Sequence, residues 1–272
     1  MAALRVVSWN IRAAIGPGPF PDRWWSRIDA DRLGAIGAFL SGLEADAVAL
    51  QEVALVSRDG ELLDNAGDLA RQLGLNVRYG AVRSFDVVDE SDARVGVGSF
   101  GNALLSPHSF ADVRVLALPQ AAMDTFVEPP GTAHPAAGVT YANAPDSIRE
   151  PRCLLLATIG GLRVGTTHFS HHGSRERLLQ AQATVDGFFD ASPALLLGDL
   201  NAPIEASELA PFASWTDGFA EPPGDPARIS TDDGYSIDQL FVREAAVSGC
   251  RVLRASGDLS DHYPVIADVE VA

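Results

Sequence analysis

The sequence predicts an α/β protein in which β-sheets pack face to face beneath covering helices. Two observations carry this. Strand-like apolar or alternating runs recur along the whole chain, and only three stretches with helical periodicity interrupt them. Many strands with few helices bury their apolar faces as stacked sheets with helices laid outside.

The strand signals are LRVVSW (4–9), DAVAL (46–50), NVRYG (76–80), NALLS (102–106), DVRVLAL (112–118), RCLLLATI (152–159), LRVGTTHF (162–169), ALLL (194–197), IDQLFV (237–242), CRVLRA (250–255) and PVIADVEV (264–271). Gly160 and Gly161 join two of them as a hairpin with a tight turn. The first helix spans 31–43, with Leu33, Ile36, Leu40 and Leu43 on one face and Asp29 or Asp31 as cap. The second spans 65–73, capped by Asn65 and closed by Gly74. The third spans 174–190 and sets Leu178, Ala181, Val185 and Phe188/Phe189 on one side. Residues 12–30 and 119–150 read as long Pro-rich loops. The Trp24–Trp25 pair in the first can stack on a substrate or pack the loop on itself.

At 272 residues, with no repeat and no linker, the chain reads as one domain, 1–272. No apolar run reaches the length of a membrane helix, and no leader segment is evident, so a cytoplasmic protein is expected, and a monomer. Cys153 and Cys250 lie in apolar runs and read as buried free thiols. The formal net charge of −16, with no Arg cluster, argues against a protein that grips a long polyphosphate strand.

Short polar residues sit at the ends of apolar strands: Asn10, Glu52, His168, Asp199, Asn201, Asp238, Asp261 and His262. Each alone has a local explanation in turn chemistry. Together they supply the oxygen ligands a hard divalent cation prefers, beside an acid–base pair. Zinc is disfavoured, because the histidines lack close ligand spacing, apart from His168 with His171 or His172, and the cysteines lie elsewhere.

The segments SWNI (8–11), LQEV (50–53), GNALLS (101–106), TTHF (166–169), GDLNAP (198–203), IDQLFV (237–242) and SDHYPV (260–265) occur in an order that resembles the endonuclease/exonuclease/phosphatase superfamily, the deoxyribonuclease I-like fold. The resemblance runs from residue 5 to about 270. It implies a four-layer α/β/β/α sandwich of two mixed sheets flanked by helices. It further implies a metal-dependent phosphoesterase with Mg²⁺, or Mn²⁺ in its place. Glu52 then resembles the principal metal ligand, with Asn10 and Asp261 near the same ion. Asp199 resembles the carboxylate that orients or deprotonates water, and Asn201 the amide that holds a phosphate oxygen. His262 resembles an imidazole paired with Asp238, and His168 a phosphate-contacting histidine and proton donor to the leaving group. Arg152 matches an arginine within reach of phosphate, and Asn102 a structural residue near the site.

The shared motifs do not fix the substrate. HFSHHGSRERLLQAQ (168–182) departs from an abasic-site DNA endonuclease, and His171 and His172 read either as exposed loop residues or as lining the mouth of the site. The 119–150 segment reads as a lid or specificity loop. Together with the acidic balance, this favours a small-molecule or lipid phosphoester, with DNA or RNA cleavage as the alternative. A catalytically silent binding module is the remote alternative, since every expected position is filled.

Overall fold

Strand Leu4–Asn10 (β1) is buried from Val6 onward, and its alternation explains why: Val6 faces one apolar core and Val7 another. A strand with a core on each side lies in an interior layer, and the computed structural model bears this out. It describes residues 3–18, 22–121, 151–171, 173–189 and 191–271.

The further strands are Ala47–Arg58 (β2), Glu61–Asp64 (β3), Asn76–Val88 (β4), Arg94–Ser106 (β5), Ala111–Ala117 (β6), Cys153–Ile159 (β7), Leu162–His168 (β8), Ala194–Asp199 (β9), Thr216–Asp217 (β10), Asp238–Arg243 (β11), Ala245–Val252 (β12) and Val265–Val271 (β13). The helices are Ala30–Ser41 (α1), Asn65–Leu73 (α2) and Ser174–Gly187 (α3). One sheet runs β12-β13-β1-β2-β5-β4, with β3 added to β2; the other runs β10-β11-β9-β8-β7-β6. Among the described residues only β1/β2 and β8/β9 are parallel pairs, so both sheets are mixed. A parallel pair needs a crossover, and α1 and α3 lie within those two connections.

Val6, Ala49 and Leu104 of the first sheet meet Leu155, Val164, Leu195, Leu197 and Leu240 of the second in the central layer. Leu33, Ile36, Leu40 and Leu69 cover the outer face of the first sheet, over Trp9, Leu50 and Leu105. Ala181 and Phe188 cover the outer face of the second, over Leu154, Leu156 and Leu196. This is the expected four-layer α/β/β/α arrangement. Each fully buried Leu contributes about 1.5–3 kcal/mol through removal from water.

Gly160 and Gly161 have φ of 57° and 88°, the left-handed pair a two-residue hairpin turn demands. At Gly198 the constraint is contact rather than φ: a Cβ there would overlap the carbonyl oxygen of Thr167 on the neighbouring strand. Cys153 and Cys250 are buried and free. Trp24 packs between Phe85 and Phe100, and Trp25 stacks on Phe85, so these tryptophans serve the loop's own packing. No helix among the described residues is long and apolar enough to cross a membrane.

The fold departs from sequence expectation in several places: β4 runs on to Val88, β5 begins at Arg94 and β12 at Ala245, and three further departures bear on the site. β2 does not end at residue 50 but continues to Arg58 through an irregularity between Leu50 and Val53. Asp64, not Asn65, caps α2, accepting from Gly67 N, while buried Asn65 accepts from Ala54 N. Helix α3 turns its polar side inward: Glu176, Arg177, Gln180 and Thr184 are buried, whereas Leu178, Leu179 and Phe189 are exposed. Residues 122–150 of the expected lid, and His172, lie outside the described residues.

Candidate active site

Three adjacent strands of the second sheet bring polar residues into one row. Parallel pairing of β8 and β9 sets His168 beside Asp199, and antiparallel pairing with β11 sets Asp238 on the other side of Asp199. Register partners project to the same face of a sheet, so an imidazole and two carboxylates converge on regular backbone alone.

Asn201 follows in a turn with φ of 49°, its N–H donating to Asp199 Oδ1 at 3.0 Å. That bond is an ordinary Asp-initiated turn. The same turn swings the Asn201 amide against the row, where Nδ2 donates to Phe169 O at 3.0 Å and lies 3.0 Å from His168 Nε2. Local turn chemistry and site chemistry therefore coincide in the Asp-x-Asn spacing.

The two buried histidines differ. Arg152 Nη1 lies 3.1 Å from His168 Nδ1. A guanidinium and an amide NH2 both only donate, so donors face His168 on both ring nitrogens, and Nε2 also lies 3.3 Å from Asp199 Oδ2. Burial, then the charges of Arg152 and His262, push His168 well below the usual histidine range. Burial works to lower His262 too, but the carboxylates of Asp238, 2.8 Å from Nδ1, and Asp199, 3.7 Å from Nε2, outweigh it. His262 is held well above its ordinary value, as an imidazolium. Burial raises Asp199 to about 6, against the opposing pull of His262.

The first sheet supplies the rest through irregular backbone. Gln51 and Glu52 occupy the bulge in β2, and Glu52 has φ of 53°. Buried Gln51 spans the central layer, its Nε2 donating to Thr166 Oγ1 at 2.9 Å and reaching Ser8 Oγ at 3.2 Å. Asn10, the last residue of β1, donates from Nδ2 to Glu52 Oε1 and to Asp199 Oδ2, both at 3.1 Å, and so ties the two sheets together. Asp261 stands further out, paired with Arg12 Nε at 3.1 Å. Arg12 N also donates to Asn10 Oδ1 at 3.0 Å, and Ser260 Oγ donates to Asn10 O at 2.8 Å. Asn102 donates to Cys153 O behind the site.

The residues anticipated from sequence thus form one connected group at one end of the sandwich. Asp261 touches it through Arg12 and Ser260, and His171 is exposed on the turn after Phe169. Arg12 and Ser260 escaped sequence reading; their only signals were places beside SWN and DH in the quoted motifs. Burial and the neighbouring Arg152 favour a neutral His168, set against Asp199 and Asn201.

The donor set suits a hard divalent cation. Glu52 and Asp261 are the more accessible carboxylates, with side chains 18% and 26% exposed against 2% for Asp199 and 1% for Asp238. Asp199, Asp238 and His262 also offer ligand atoms within 4.8 Å of one another. There, however, a cation would have to displace the proton bridging His262 and Asp238. The Glu52 side fits better, with Asn10 joining once its carbonyl turns from Arg12 N.

A sequence model of the Endonuclease/Exonuclease/phosphatase family matches residues 7–262. No curated protein matches the sequence. Among solved structures, an endonuclease/exonuclease/phosphatase from Beutenbergia cavernae superposes with a TM-score of 0.74 at 22% identity, covering 100% of this chain and 72% of that one. A mannosyl-6-phosphatase from Bacteroides thetaiotaomicron gives 0.63 at 16% identity, covering 98% and 99%. D. rerio TDP2 complexed with a single-strand DNA product gives 0.62 at 16% identity, covering 100% of both chains. The matched span, the shared fold and the convergent polar row lead to one conclusion: the chain belongs to the endonuclease/exonuclease/phosphatase family, whose members are phosphoesterases and nucleases.

Proposed function

We propose that the protein is a single-domain, monomeric hydrolase of small-molecule or lipid phosphoesters that works by in-line attack of water with Mg²⁺, or Mn²⁺, bound. The observation that carries this reading is the row His168–Asp199–Asp238, completed by His262 and faced by Glu52 and Asn10.

Glu52, with Asn10 and Asp261, would hold the cation, which when bound neutralises charge on the phosphoryl oxygens. Asp199 orients the attacking water and accepts its proton; a carboxyl lifted to about 6 is a stronger base than an exposed one and still ionised at neutral pH. Asn201 Nδ2 donates toward a phosphoryl oxygen, the Nε2 edge of His168 faces the same group, and Arg152 orients His168 from behind. His262, held as an imidazolium by Asp238, supplies positive charge and a proton on the side facing Asp199.

The small or lipid ester is favoured over nucleic acid because a net charge of −16 repels a polyanion. TDP2 with its DNA product and the mannosyl-6-phosphatase share this fold, so both substrate classes belong in the test. The first experiment is turnover of bis-p-nitrophenyl phosphate with Mg²⁺ or Mn²⁺. The reading requires activity that a chelator abolishes, and metal-independent turnover, or none, overturns it. Nicking of supercoiled plasmid faster than hydrolysis of a sugar-phosphate and phospholipid panel overturns the substrate preference.

A further inference from the structure

Helix α3 buries charge where it has apolar residues to spare. Arg177 and Glu208 form a buried ion pair, with Nε and Nη2 of the guanidinium 3.0 and 2.9 Å from Glu208 Oε1. Glu176 and Gln180 are fully buried beside them, joined at 3.4 Å, while Leu178 and Leu179 face outward. Buried ion pairs add little net stability over apolar packing, so this inversion has to be explained by what the groups hold.

They hold backbone, in two places. Gln180 Oε1 accepts from Ser170 N at 2.7 Å, and Arg177 Nη1 donates to Ser170 O at 3.4 Å and His171 O at 3.2 Å. These contacts grip the turn that leaves β8 immediately after His168 and Phe169. Glu176 Oε2 accepts from Ala121 N at 2.9 Å, and Gln180 Nε2 donates to Pro119 O at 3.4 Å. That segment is in turn bonded to Arg152, since Leu118 N donates to Arg152 O at 2.8 Å. The helix therefore fastens both chain segments that carry the Arg152–His168 pair. From the opposite side, Asn201 Nδ2 grips Phe169 O and Asp199 O accepts from Phe169 N.

We infer that Glu176, Arg177, Gln180 and Glu208 are positioning residues that fix the Arg152–His168 pair, and thereby aim the Nε2 edge of the His168 ring at the phosphoryl group. None of the four reaches the reacting atoms. The inference rests on the phosphoesterase reading for what His168 does, but not for how His168 is held.

The test uses the full-length protein with ¹⁵N-labelled histidine. Two variants are compared with wild type: Gln180→Met, which frees Ser170 N, and Arg177→Met/Glu208→Leu, which removes both charges together. Ring-nitrogen NMR should show one sharp set of His168 signals in wild type and shifted or broadened His168 signals in both variants, with the His262 signals unmoved. kcat should fall roughly 10- to 100-fold, the cost of a misplacement of about 1 Å, with KM changed much less. A lower melting temperature with unchanged His168 signals and kcat overturns the inference and leaves the cluster purely structural. If the charge-free pair does not fold, the Gln180→Met spectrum decides alone. His168→Gln in the wild-type background separates the two levels. Full turnover in that variant sinks the role given to His168 in the reaction, while the spectra still judge whether α3 holds the ring.

Discussion

The two sheets build their halves of the site by opposite means. The second sheet uses regular pairing: His168, Asp199 and Asp238 are register partners on three neighbouring strands. The first uses broken pairing: Glu52 sits in a bulge with φ of 53°, and one residue beyond Asn10, Arg12 to Ala14 all have positive φ. Regular strands fix the spacing of the groups proposed to exchange protons. A bulge re-aims one side chain out of the pleat and leaves it more accessible, as the role of cation ligand proposed for Glu52 requires.

Removing either half's central carboxylate is the severest way to break this comparison. Asp199→Ala and Glu52→Ala are both expected to keep the fold and to lose at least roughly 10³-fold in kcat/KM, measured with bis-p-nitrophenyl phosphate. Full activity in either overturns its assignment. Asn201→Ala should lose roughly 10²-fold, the effect of one donor to a developing oxyanion. Asn201→Gly should lose as much activity while tolerating φ of 49° better, so the two variants separate side chain from backbone.

Stability measurements sharpen the contrast. Asp199 is raised from 3.8 to about 6, so its contribution to folding is present below 3.8 and lost as pH rises through 6. At pH 8 the buried carboxylate is a net cost, and chelator-treated Asp199→Asn should be more stable than wild type in urea unfolding. On the irregular side the backbone decides. Glu52→Gly should exceed Glu52→Ala by about 1 kcal/mol, because Ala at φ of 53° carries a steric penalty that Gly escapes. The smallest effect is expected at Cys153, which burial holds at about 12. Native protein at pH 8 should show no iodoacetamide labelling there by mass spectrometry, and rapid labelling would mean the central layer opens.

Which parts were legible in the sequence follows from the same contrast. Strands with one polar residue at the end of an apolar run announce both themselves and their site residues, so His168, Asp199 and Asp238 were readable. The four layers were readable from the density of such runs. A bulge leaves no periodic mark, so β2 seemed to stop at residue 50 and Glu52 to follow a strand it actually lies within. Arg12 was unreadable because its partner Asp261 is remote in sequence. Helix α3 misled because Leu178, Ala181 and Val185 fit a helical period, whereas its tertiary hydrogen bonds to Ser170 and Ala121 favour the polar face. Periodicity reports what a helix can bury in isolation, and these backbone partners come from other parts of the chain.

Gly198 sets a limit on how far this enzyme can be remodelled. Because β8 and β9 touch there through bare main chain, the gap between His168 and Asp199 is a property of two peptide backbones rather than of adjustable packing. Even one added methyl would wedge those strands apart at the base of the pair. The spacing of the pair proposed to carry the chemistry is therefore closed to tuning by substitution at Gly198.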